Sequence, residues 1–287
     1  MRWLFQELKK SFYLPYMLFS IIGVVILCLL AQCYTDYSSG TTYSVFSMIL
    51  NREKFNVMEQ ASLNCIEVWN AGMGNWFYLF SPILLTVGYL IIISNERNTE
   101  AIRFILIREG MGKYCLSKVI SAAAFSGTMM LLGYAIYGLL IMPFFPTLSS
   151  FPEDVQTFYL EYVYLSKSVL IYVVKRLVGV FLYGAFVSVF SVGISIAFRD
   201  PYMLICLPFL FKYVYTQLMS KVSYEATISE QEKLAEIVRG FMPESILSVG
   251  YDTSFWISLV FLVCLFGLIV FEFYRTMKVR RDNGAFK

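Results

Sequence analysis

Few residues in this chain are of the types that do covalent chemistry, and their spacing excludes most of it. No histidine occurs among the 287 residues, which removes HExxH metal hydrolysis and every catalytic triad built on a histidine base. The six cysteines include no CxxC pair, so neither a zinc site nor a redox dithiol is indicated. Cys28, Cys206 and Cys264 fall in apolar blocks, where a small apolar role is the plain expectation; Cys33 and Cys65 could meet on an outer surface. Gly110-Met111-Gly112-Lys113-Tyr114 approaches the end of a phosphate-binding loop. Tyr114 stands where a Ser or Thr hydroxyl must reach magnesium, however, and Ile107 stands where the first glycine belongs. The expectation is a chain that is not an enzyme and holds no metal or cofactor of its own.

What remains are charged and aromatic residues, and the elements that carry them are set by hydropathy. The composition is 58% hydrophobic and 15% charged, against about 45–50% and 25% in soluble domains. The apolar residues fall in blocks of about 20, enough for a helix to cross about 30 Å of hydrocarbon. Six blocks can be drawn, at 11–32, 76–94, 120–142, 177–198, 201–219 and 255–274, the fifth interrupted by Pro208 and Lys212. Only a helix or a closed barrel satisfies its own backbone in lipid, and unbroken runs of this length indicate helices. The expected fold is an all-α, multi-pass integral membrane protein with six transmembrane helices.

Charge orients it. With both termini cytoplasmic, the inner pieces 1–12, 95–118, 199–200 and 272–287 hold 14 of the 23 basic residues and 7 of the 20 acidic ones. That surplus is the positive-inside pattern, and it makes the formal charge of +3 a topology signal. A nucleic-acid partner would need a basic patch or module, and none is visible. The expected location is a cell membrane, in bacterial terms the plasma membrane.

The segments outside the spans carry most of the remaining information. Residues 1–12 place Leu4, Phe5, Leu8 and Phe12 at helical spacing, with Glu7, Lys9 and Lys10 on other faces. This is either an amphipathic helix lying in the lipid interface or an extension of the first span. The rest of the chain, 13–287, forms the six-helix domain, with an inner loop at 95–118 and outer segments at 33–75, 143–176 and 220–253. The inner loop contains a short helix, apolar but rimmed by charge, suited to a groove on a partner. In the last outer segment Ser229-Glu230-Gln231-Glu232 reads as a capping box, and Met242-Pro243-Glu244 breaks the helix after it. Lys175, Arg176 and Lys212 lie near enough to an interface to snorkel. No acid lies deep in any span, which weakens a proton-coupled carrier. Glu67, Glu153, Asp154 and Glu161 make the outer loops acidic, a solvated face that would also admit a cationic substrate.

At the inner loop the sequence resembles a known family. Glu96-Arg97, Thr99-Glu100, Leu106, Gly110, Lys113 and Lys118 are similar to the cytoplasmic loop of ABC-2 type transporter permeases. The six-span layout, the N-terminal amphipathic helix and the irregular segment before the last span fit the same pattern; Asn98, where the family usually has glycine, departs from it. The resemblance implies an exporter permease subunit that pairs with a second copy or a homologue within membrane lipid. Its loop would be a coupling helix docking on a separate ATPase subunit, which would bind the ATP and magnesium. It implies docking contacts at Glu96, Arg97, Glu100, Arg103, Phe104, Arg108, Glu109 and Lys113. It also implies an outer gate near Phe241, Pro243 and Glu244; apart from the resemblance, Lys212 is a pathway candidate as an ionisable group within a span. A secondary carrier or channel, or a non-transporting scaffold or immunity protein, are the alternatives.

Overall fold

The computed structural model describes residues 2–36, 40–52, 60–98, 101–198, 200–229, 231–248 and 252–282. A short α1 (Arg2–Ser11) turns by 60° into α2 (Leu14–Leu30), with Pro15 in the first turn. A proline there keeps its helical φ and loses no internal hydrogen bond. An antiparallel hairpin, β1 (Gln32–Asp36) and β2 (Thr41–Ser44), leads to α3 (Val45–Leu50) and α4 (Cys65–Ala71). Then come α5 (Asn75–Asn98), the short α6 (Ala101–Glu109), α7 (Met111–Ile141), α8 (Glu153–Phe158) and α9 (Val169–Ala197). The chain ends with α10 (Pro201–Ile228), α11 (Glu232–Gly240), a 3₁₀ turn at Pro243–Leu247 and α12 (Thr253–Asp282).

Five of these helices (α5, α7, α9, α10 and α12) are long and apolar enough to cross a membrane, and α1 with α2 makes a sixth if the bent pair is one span. The molecule is a multi-pass helical membrane protein. Both described termini lie at one end of the bundle: Lys118 near the start of α7 contacts Glu7 of α1, and Arg280 near the end of α12 donates to the Ile196 carbonyl near the end of α9. That end is called the terminal end below.

Helix boundaries lie outside the hydropathy blocks. α9 begins at Val169 and not at 177, so the outer segment expected to run to 176 gives up about two turns to the span. α10 continues to Ile228, and the loop expected at 95–118 is almost wholly helix. Polar residues end a hydropathy window but not a helix. Gly110, at φ +79, makes the turn from α6 into α7 without the steric cost a side chain would bring. Ser229 does not cap α11 as the sequence suggests; it closes α10, its hydroxyl bonded back to Glu225 O, and Gln231 precedes α11 instead.

α7 and α9 form the core pair, with α2 and α5 against them and α10 and α12 outside. Of the apolar stretch of α9, 61% is buried; of α10 only 17%, so most of α10 faces outward. Where no hydrophobic effect separates helix from lipid, close packing needs small residues. α9 supplies Gly184, Ser188, Ser191 and Ser195, and α7 supplies Ser117, Ser121, Ser126 and Gly127, all buried. Ser188, Ser191 and Ser195 donate to carbonyls three or four residues back, so these hydroxyls are satisfied within their own helix.

The segment before α5 is folded onto the bundle. Asn64 caps α4 through Ile66 N and Glu67 N, Trp69 stacks on Tyr134 at 4.6 Å, and Trp69 Nε1 and Tyr134 Oη donate to each other's backbone carbonyls. Cys33 and Cys65 are both free thiols, burial pushing Cys33 up to about 12 and Cys65 up to about 11. The α7–α9 contact yields a direct test. A Cβ on Gly184 would lie 2.7 Å from Ser126 O and 3.0 Å from Gly127 Cα, both backbone atoms, whereas nothing lies within 4 Å of one on Gly267. Gly184→Ala is expected to lower stability by about 1–3 kcal/mol; equal thermal midpoints for Gly184→Ala and Gly267→Ala in detergent would contradict this packing.

Candidate functional site

Two polar assemblies interrupt the apolar interior. The first, at the terminal end, surrounds Lys118 on α7, whose side chain is 2% exposed. Its ammonium contacts Glu7 Oε2 of α1 and lies 2.7 and 2.8 Å from the two oxygens of Glu96 on α5. Lys10 closes the set, 2.8 Å from Glu7 and 3.3 Å from Glu96, and Tyr114 Oη donates to Glu96 at 3.2 Å. Two acids and two lysines from three helices thus cancel, with Glu7, Glu96 and Lys118 withdrawn from water and Lys10 at the exposed edge. Apolar contacts with lipid cannot fix where an interfacial helix sits; these charges fix α1 against α5 and α7. Glu7, expected on the polar side of α1, is buried and Phe5 is 71% exposed, while Phe12 packs against the core and Lys9 and Lys10 stay exposed.

Beside this clamp lies α6. Ile102 is buried and Ile105 and Leu106 are half-buried against the core, while Phe104 and Ile107 are 78% and 85% exposed. Arg108 donates to Gln6 Oε1 at 3.3 Å, which ties α6 to α1. The expected docking residues therefore divide. Phe104, Arg108 and Lys113 are exposed. Glu96 is a correction: it is turned inward and consumed by the clamp, because the unpaired Lys118 would otherwise be buried beside it. Glu100 lies outside the described residues, as do the side chains of Arg97, Arg103 and Glu109.

The second assembly lies deeper, on α10. Lys212 does not snorkel, which is a second correction; its side chain is 8% exposed and points into the protein. Pro82 on α5 explains why. Proline has no N–H, so the carbonyl four residues back, Tyr78 O, loses its helical partner. Lys212 Nζ donates to that carbonyl at 2.6 Å and to Tyr183 Oη at 2.7 Å, while Tyr183 Oη lies 3.1 Å from Ser81 Oγ. The same ammonium is 3.1 Å from Glu244 Oε1. No acid occurs within the spans at this depth, and the counter-charge comes from the 3₁₀ turn that folds back beside α9 and α12.

Phe241, Pro243 and Glu244 do come together with Lys212. Tyr215 Oη donates to Phe241 O at 2.9 Å, and the Phe241 ring meets Phe261 of α12 edge-on at 5.3 Å. Pro243 joins Pro82 and Pro208 around a small apolar cavity of about 50 Å³ beneath Lys212. Above it, between α5 and α10, a larger cavity of about 580 Å³ is lined by Trp76, Tyr78, Lys212, Tyr213, Thr216 and Glu244, among others.

Arg176 is a third correction and a residue whose role sequence reasoning missed. It turns inward, donating to Leu247 O at 2.7 Å, and so pins the far side of the same turn to α9. Glu67 on α4 lies in its field. Burial holds the Glu67 carboxyl above its usual range, opposed by Tyr164 and Arg176. Arg176 shows no period or motif; its only signal is a guanidinium about two turns inside a helix that hydropathy alone starts too late.

Comparison with known proteins finds no matching family model, no matching curated protein and no matching solved structure. The clamp is testable by itself. Lys118→Met leaves Glu7 and Glu96 sharing only Lys10 and is expected to cost about 3 kcal/mol or more. Lys118→Met with Glu7→Gln and Glu96→Gln should recover most of that loss in a detergent melting experiment. A single variant that melts with the wild type would show that the buried charges do not hold α1.

Proposed function

We propose that this chain is the membrane subunit of an ATP-driven exporter of the ABC-2 permease kind, with the terminal end facing the cytoplasm. The observation that carries this reading is α6. A nine-residue helix with Phe104 and Ile107 bare, clasped by Arg108 to a helix that a cluster of three buried charges and Lys10 locks to the bundle, suits a lever better than a loop. An ATPase with an apolar groove could seat Phe104 there, and a push on α6 would pass into α1, α5 and α7 together. The positive surplus of the inner segments agrees with the side.

Two copies would pair around a pathway. The support is the outward face of α10, where Tyr213, Gln217, Ser220 and Tyr224 make an exposed polar stripe beside the larger cavity. Polar side chains on a spanning helix face protein or water in preference to lipid. A carrier that works without an ATPase has one feature in its favour, the buried Lys212–Glu244 pair, but it leaves the bare edge of α6 unused.

Affinity purification of the tagged chain from its native host, in mild detergent, tests the reading. A near-stoichiometric soluble ATPase should accompany the wild type, and Phe104→Asp with Arg108→Glu should reduce its recovery at least about tenfold, as loss of an apolar anchor does. A chain recovered alone even after cross-linking would count against the exporter and favour the carrier.

A further inference from the structure

We propose that the cavity between α5 and α10 binds an organic ammonium ion with an apolar body, and that Glu244 and Thr216 receive its N–H groups. The inference rests on the exporter reading only for calling that ligand a substrate. Its physical basis is an account of which hydrogen-bonding groups in the cavity are already occupied.

Lys212 is used up. An ammonium has three donors, and here they face Tyr78 O, Tyr183 Oη and Glu244. The rings of Tyr78 and Tyr183 lie 5.6 and 5.2 Å from Nζ and share its charge. An anion entering the cavity would meet a lysine with no proton to give, beside a carboxylate. Glu244 is in the opposite state. A carboxylate offers about four lone-pair sites, and among the described residues its ion-pair partner is Lys212, 3.1 Å from Oε1, which leaves Oε2 and most of those sites unfilled. Thr216 Oγ1, one turn along α10 from Lys212, is likewise buried without a partner among the described residues. Glu244 thus brings unfilled acceptor sites to the cavity, and the Thr216 hydroxyl can accept as well as donate; buried acceptors of this kind are costly to leave unmade.

The walls select the rest of the ligand. Trp76, Tyr78 and Tyr213 present aromatic surface, which attracts a cation to its faces and an apolar group by contact. A volume of about 580 Å³ fits a drug-sized body. The carboxylate comes from the re-entrant turn and its partners from α10 and α5, so a bound ammonium would compete with Lys212 for Glu244 and loosen the tie between that turn and α10.

The test uses the purified full chain in lipid nanodiscs, titrated with dansylcadaverine, a primary ammonium on an aromatic fluorophore. Its neutral N-acetyl derivative and an anionic dansyl-aminohexanoate serve as matched probes, with empty nanodiscs subtracted. Saturable binding of the ammonium is expected, with both other probes at least about tenfold weaker, the scale of a hydrogen bond to a charged group. Glu244→Gln should weaken the ammonium by a similar factor. Thr216→Val, which leaves the ion pair intact and so does not depend on how Glu244→Gln folds, should weaken it severalfold. Equal binding of the neutral or anionic probe would overturn the inference, as would no saturable binding or a Thr216→Val protein that binds like the wild type. Ammonium binding by a chain that recruits no ATPase would uphold this inference and sink the exporter reading, and an ATPase complex that binds no ammonium would do the reverse.

Discussion

A charge removed from water must be met by an opposite charge or by aimed hydrogen-bond partners, and this protein's interior is organised around two places where that requirement is met. At the terminal end Lys118, Glu7, Glu96 and Lys10 neutralise one another across three helices. Deeper in the bundle Lys212 finds Glu244, a tyrosine and a carbonyl that Pro82 has left open. Breaking either set by removing one member would strand a buried charge, so each acts as a joint between the elements it connects. The surrounding serine- and glycine-lined contacts between α7 and α9 hold the helices close but specify no such discrete arrangement.

The two joints differ in what they connect. The clamp ties an otherwise free interfacial helix to the core and places α6 beside it, which turns a bare apolar edge into a part of the bundle's mechanics. The Lys212 joint ties α10, the most outward-facing span, to a turn that folds back from the opposite end and is held from behind by Arg176. Three prolines, Pro82, Pro208 and Pro243, surround the small cavity beneath it. Pro82 and Pro208 lie inside their helices and each removes one internal hydrogen bond beside the ion pair, whereas Pro243 opens its 3₁₀ turn and removes none.

Hydropathy made the spans legible because lipid imposes both a length and an apolar composition, and α5, α7, α9, α10 and α12 meet both. Their limits were not legible. A helix continues through polar residues wherever protein or headgroups receive them, as α9 does past Lys175 and Arg176. The exposed edge of α6 could be read from the spacing of Ile102, Phe104, Ile105 and Ile107, since a helix with apolar residues on two sides can bury only one of them. The clamp could not. Glu7, Glu96 and Lys118 are distant in sequence, and each alone reads as a surface charge; only the bend between α1 and α2 brings Glu7 to Lys118. Lys212 drew notice as an ionisable group in a span, but its partner lies 32 residues on, past α11, and the vacated carbonyl of Tyr78 is visible only once Pro82 is placed beside α10.

In the proposed exporter, the bare edge of α6 is where a motor protein pushes. Photo-cross-linking tests it most directly, with benzoylphenylalanine placed at Phe104 and, as a control, at Leu210 on the outward face of α10, in the native host. The account predicts a single protein adduct from position 104, containing an ATPase and absent from position 210. Adducts of lipid alone at position 104 would contradict it and leave α6 a helix resting on the membrane surface.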